Sequence, residues 1–300
     1  MPTDNNEFSF LEAQSGELGL GAPIPTVSRV DVATSAGTSS SLVWGADATI
    51  TLLHGGGLNA HTWDETILVL DRPAIAIDLP GHGDSAWRDD FDYRAESNAV
   101  AVGEALDALA PGTAQVVVGQ SLGGLTAIAL AAARPELVHA LVIVDVSPGL
   151  RPGDASQVRD FLAGPQVFAS RNDIVEKALA AGIGSSREKL ERGVELNTRV
   201  NDDGSVVFKH HLASPPEGAE PLTVDFAGLW PALQNSAVPV LLVHGSHGFL
   251  SPEVVAEFAV RVPRAAIVEI EAGHNVQEQQ PAALAQAIGV FIESSENANV

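Results

Sequence analysis

Cysteine is absent from this chain, and methionine and tyrosine occur once each. Without cysteine there can be no disulfide, no thiolate nucleophile and no cysteine-ligated metal. Basic residues are scarce: 16 Lys and Arg stand against 38 Asp and Glu, a formal net charge of −22. Nucleic acid and anionic lipid are bound through Lys and Arg, so neither is expected as a partner. No apolar run approaches the roughly 20 residues that span a bilayer. The opening MPTDNNEFSF has neither a basic n-region nor an apolar h-region, so a cytoplasmic protein without a secretory signal is expected.

What is present is a large apolar complement, 45% of 300 residues, enough for one sizeable α/β domain with an insertion. Residues 1–25 are polar and acidic with Gly and Pro, and read as a loose arm. Short β-rich runs then alternate with helical patterns, the signature of a parallel sheet built from βαβ units. Strands are predicted at 48–53, 74–78, 115–119, 141–145, 238–243 and 266–270. Helices are expected over about 59–70, 92–110 and 122–133, from 252, and through about 292. Between 147 and 236 the strand pattern fades into polar helical stretches. The chain thus divides into a core of 26–146 and 237–296 and a helical cap of 147–236 placed over the carboxyl ends of the strands, where such sheets bind ligands.

One motif carries chemistry. Gly119-Gln-Ser121-Leu-Gly123-Gly124 matches G-x-S-x-G between a predicted strand and a predicted helix, the context the motif requires. Such a turn lifts the serine hydroxyl above the sheet, at a helix N-terminus that favours developing negative charge. A serine hydroxyl needs a positioned base. Among nine histidines, His274 follows the last strand in a Gly-His loop near the C-terminus, from which its imidazole can reach Ser121. Acyl transfer also needs oxyanion donors. The Leu122 amide is one by position, and His54-Gly-Gly-Gly57 supplies the second, Gly56 first and Gly57 as fallback. No metal or other cofactor is implied, since H-E-x-x-H and comparable ligand spacings are missing.

The order H-G-G-G at 54–57, D-L-P-G-H-G-D-S at 78–85, G-Q-S-L-G-G at 119–124 and a late G-H at 273–274 resembles the α/β-hydrolase superfamily. Within it, the similarity is to the bacterial esterase, haloperoxidase-like and meta-cleavage-product hydrolase branch. The resemblance implies a mostly parallel eight-stranded sheet flanked by helices, with a cap inserted after strand six. It also implies a third, acidic member that orients the base. Most members of the superfamily carry that acid after the later strand, where this chain has Gly248 and no Asp or Glu from 240 to 252. A minority place it after the strand that follows the nucleophile's helix, which here is Asp145. Adjacent parallel strands lie about 4.8 Å apart, so either strand tip can serve the same imidazole.

The function expected is hydrolysis of a small-molecule carboxylic ester, lactone or amide through an acyl-Ser121 intermediate. Two alternatives stand beside it: a carbon–carbon bond hydrolase of dienoate type, and a non-catalytic receptor for a small ligand. A homodimer is left open. Substrate specificity resides in the insertion, where Phe161, Phe168, Leu212 and Trp230 are pocket candidates, together with His54 from the core. Arg199, Lys209 and His210 form a mixed cluster that reads as a solvated cap face or, less simply, as a carboxylate site.

Overall fold

The computed structural model describes residues 6–21, 23–151, 166–180, 186–213 and 226–297. An eight-stranded sheet runs through its centre in the order β1 (Val27–Thr34), β2 (Gly37–Trp44), β4 (Ala74–Ile77), β3 (Ile50–Leu53), β5 (Gln115–Gln120), β6 (Val138–Val144), β10 (Val240–Gly245) and β11 (Ala266–Ile270). The β1–β2 hairpin and its pairing to β4 are antiparallel, and every other pairing is parallel. Strands β3, β4, β5 and β10 are buried along their whole length. That burial explains their unbroken apolar sequences, because helices cover both faces of the parallel part.

Side-chain alternation divides the core in two. Val117, Leu141 and Ile143 face one layer, formed by α3 (Ala95–Leu109), α4 (Leu122–Ala133), α7 (Trp230–Asn235) and α8 (Pro252–Arg261). Val116, Val118, Val142 and Val144 face the other, formed by α2 (Asp64–Leu70), the short α9 (Val276–Gln279) and α10 (Pro281–Asn297). Among the described residues no helix is long and apolar enough to cross a membrane.

Two features differ from the sequence reading. The N-terminal segment carries a helix, α1 (Leu11–Glu17), whose Leu11 is buried in the second layer beside Phe8, Leu18 and Leu20. Glu7 from the same segment grips Arg29 of β1 and His61. Residues 6–21 are therefore docked and not a loose arm; so short an amphipathic turn gives little periodic signal. The described part of 147–236 is also not purely helical. Besides α5 (Arg171–Ala180) and α6 (Arg187–Leu196), it holds a small antiparallel sheet of β7 (Val167–Phe168), β9 (Val206–Phe208) and β8 (Thr198–Val200). Ile174, Val175, Val194 and Val206 form a separate apolar cluster beneath it. Strands of two or three residues are too short to display alternation.

Candidate active site

Ser121 sits between the end of β5 and the start of α4 with φ +52° and ψ −118°. A non-glycine residue there is strained, and the surroundings hold it in place. Its amide donates to Val144 O at 3.1 Å, carrying the β5–β6 pairing one residue past the strand. The neighbouring glycines are required by contact. A Cβ on Gly119 would lie 2.3 Å from Gly123 O, and one on Gly123 would lie 2.2 Å from Leu53 O. A Cβ on Gly124 would meet Val146 Cγ1 at 2.6 Å. The helix therefore packs directly on two strand ends, and its first amide, that of Leu122, has no intrahelical acceptor.

His274 and Asp145 come together at the carboxyl end of the sheet. Nδ1 of His274 donates to Asp145 Oδ2 at 2.7 Å. Asp145 follows β6 with φ +48°, a conformation Asp tolerates better than most residues, and is fully buried. Its carboxylate also accepts from the amide of Gly245, the last residue of the neighbouring β10, at 3.0 Å and from the Phe249 amide in the loop that follows at 2.8 Å. An acceptor-only carboxylate at Nδ1 fixes the ring proton there and leaves Nε2 as a lone pair in the neutral ring. Phe249 stacks on the imidazole with centroids 3.6 Å apart and planes at 15°. The ring's Nε2 is engaged by the Gln120 side-chain amide at 3.0 Å. Among the described residues the Ser121 hydroxyl makes no hydrogen bond to it.

Gly55–Gly57 lie at the end of β3, alongside the Ser121 turn. Gly56 is partly exposed, and Leu212 of the insertion approaches it, 3.6 Å from where a Cβ would stand. Gly57 has φ +80°, and its carbonyl accepts from Asn197 Nδ2 at 2.6 Å. Asn59 Nδ2 donates to Leu196 O at 3.1 Å. These bonds tie the glycine loop to the end of α6. Between them, a cavity of about 180 Å³ separates the insertion from the core, lined among others by Leu58, Asn59, Asn275, Ile174 and Phe208.

The remaining pocket candidates do not converge here. His54 is fully buried, with Nδ1 on Gly55 O at 2.8 Å and Nε2 accepting from the Leu79 amide at 2.9 Å. Burial pushes its imidazole down to about 4, so it is a neutral brace between two strand ends and offers nothing to a ligand. Trp230 is packed in the first core layer against Phe258, with Arg261 over its ring. Phe168 packs on Phe208 within the insertion. Phe161 lies outside the described residues. Lys209 pairs with Asp84, Arg199 covers Trp87 and His210 is buried, so those three do not form a carboxylate site.

Gln120 and Phe249 went unnoticed in sequence. Gln120 occupies the variable position of the serine motif, and Phe249 lies in the loop between β10 and α8, where an aromatic residue carries no chemical signal.

The fold and this cluster define an α/β hydrolase: residues 52–287 match the model of the alpha/beta hydrolase family, and the chain belongs to that family. Among curated proteins it is 40% identical to esterase Rv0045c of Mycobacterium tuberculosis over 95% of both chains. It is 28% identical to lipase LipV of the same organism over 80% of this chain and 92% of that one. A crystal structure of esterase Rv0045c superposes with a TM-score of 0.83 at 38% identity, covering 98% of this chain and all of that one. The chain is a hydrolase of the α/β-hydrolase type.

Proposed function

We propose that Ser121, His274 and Asp145 act as nucleophile, base and orienting acid in the hydrolysis of a small-molecule carboxylic ester through an acyl-serine intermediate. The observation that carries this reading is the 2.7 Å bond from His274 Nδ1 to a buried Asp145 carboxylate, at the strand end next to Ser121's strained turn. Lactones and amides fall within the same chemistry.

Ser121 Oγ attacks the carbonyl carbon as its proton passes to His274 Nε2. The oxyanion so formed is met by the amides of Leu122 and Gly56, with Gly57 as the alternative. When the tetrahedral species collapses, the carbon–oxygen bond to the alcohol breaks and Nε2–H protonates the departing oxygen. Water then repeats the sequence on the acyl-enzyme, with His274 again taking and returning the proton. Asp145 accepts the Nδ1 hydrogen bond throughout and holds the ring in the productive tautomer. In this reading the segment 147–236 is the cap that selects the substrate, because it supplies Leu212 and the outer cavity wall while the reacting groups all come from the core.

The test is covalent labelling of the full chain by a fluorophosphonate, together with turnover of chromogenic esters, lactones, amides and dienoates. Labelling confined to Ser121, with ester turnover that vanishes in Ser121→Ala, is expected. Dienoate cleavage without ester cleavage would favour the carbon–carbon hydrolase instead.

A further inference from the structure

The base is occupied before any substrate arrives. Gln120 ends β5 and is fully buried, and its side-chain nitrogen lies 3.0 Å from His274 Nε2, 3.3 Å from His274 O and 3.5 Å from Asn275 Oδ1. The Asp145 carboxylate leaves Nε2 as a bare lone pair, so all three of these groups are acceptors. They dictate that the carboxamide presents its NH₂ here, since the reverse orientation would oppose oxygen to oxygen. The other end of the amide, Oε1, has no protein partner among the described residues. It rests over Gly55, where a Cβ would stand only 2.1 Å from it. Gly55 thus leaves the room through which Gln120 reaches the imidazole.

We infer that Gln120 is a positioning residue that restrains the base: its amide N–H holds the Nε2 lone pair of His274 in the resting enzyme, and this bond must break before Ser121 can give up its proton. The argument rests on the roles proposed above for Ser121 and His274. A donor facing Nε2 stabilises the neutral ring. It opposes the ring that has accepted a proton, because two N–H groups then point at one another. The same bond keeps the ring in the Nδ1–H tautomer while the site is empty, so the restraint and the correct tautomer arise from one contact.

The inference makes replacements of Gln120 act in opposite directions, which a purely structural role would not. Gln120→Met keeps the length and loses the donor. Its Ser121 should be labelled by a fluorophosphonate roughly three- to tenfold faster than in the parent enzyme, the value of one released hydrogen bond. In Gln120→Glu a carboxylate faces Nε2 and binds the protonated ring, and labelling should slow by at least about tenfold. Gln120→Asn is too short to reach the ring and should behave like the Met variant; it carries the test if the latter does not fold. For ester turnover the gain should appear in kcat with KM little changed. Met and Asn variants labelled no faster than the parent, or Met and Glu variants slowed alike, would overturn the inference. Labelling that persists in Ser121→Ala would instead overturn the nucleophile assignment, so the two failures are distinct.

Discussion

The β-carbon that Gly248 lacks would stand 2.2 Å from Asp145 Oδ1. The loop position after β10 and the position after β6 therefore compete for one volume beside the same imidazole. A side chain on either excludes one from the other. Gly248→Ala should push the Asp145 carboxylate off His274, and kcat should fall by about a hundredfold or more while the sheet remains folded. Gly248→Asp should restore turnover only in combination with Asp145→Gly or Asp145→Ala. In an Asp145→Asn background the amide still fills the space, and rescue there would show that the two positions do not compete. Turnover of a chromogenic ester reads all of these.

Asp145→Asn should lower kcat by roughly 10³–10⁴-fold, because asparagine favours the imidazole tautomer that cannot accept the serine proton. Stability should drop as well. The carboxylate accepts from the Gly245 and Phe249 amides besides His274. An asparagine cannot accept at both ends, so one buried donor loses its partner at a cost of about 1–3 kcal/mol. Urea unfolding alongside the kinetics separates the two effects, and a variant with full stability and full kcat would remove Asp145 from the role proposed.

Much of this was legible in sequence. The buried strands β3, β5 and β10 announce themselves by unbroken apolar runs, and α4 lies at 122–133 in both sequence and structure. The placement of the acid beside His274 followed from one missing side chain, at Gly248, and one present, at Asp145. What escaped was short or three-dimensional. The β7–β9–β8 sheet has strands of two and three residues, and α1 has only seven. His54 and Trp230 look like pocket residues by type, yet one is spent on two backbone bonds and the other on the core. Gln120 stands next to the motif serine, but only the folded chain brings it to an imidazole 154 residues further along.

Ser121→Ala should reduce turnover by about 10⁴–10⁶-fold. Ser121→Gly should be equally inactive but more stable than the alanine variant by about 1 kcal/mol. At φ +52° alanine keeps the strain of the turn and glycine relieves it, with part of the gain offset by the entropy of a glycine in the unfolded chain. Thermal melts of the two inactive proteins give the comparison. A glycine variant that melts below the alanine one would mean the turn is not strained in solution.

The docking of the N-terminal segment should depend on pH in a direction set by His61. Its Nδ1 lies 2.9 Å from Asp64 and its Nε2 3.0 Å from Glu7. Burial pushes the imidazolium down, but the carboxylates of Asp64 and Glu7 outweigh burial and the nearby Arg29, raising it to about 9. For Glu7 the balance runs the other way. Burial raises it, yet His61 and the Arg29 guanidinium hold it at about 2. A histidine raised on folding contributes stability that is complete below its ordinary value of 6.5 and is lost as pH rises through about 9. A carboxylate lowered on folding contributes above its ordinary value of 4.5 and loses that contribution as pH falls through about 2. The segment should therefore be held most firmly between about pH 4.5 and 6.5 and loosen progressively as pH rises from there towards about 9. The melting temperature should fall more steeply from pH 7 to 10 in the parent protein than in His61→Gln, which has no proton to lose there. Parallel slopes for the two proteins would show that His61 is not charged in the folded state.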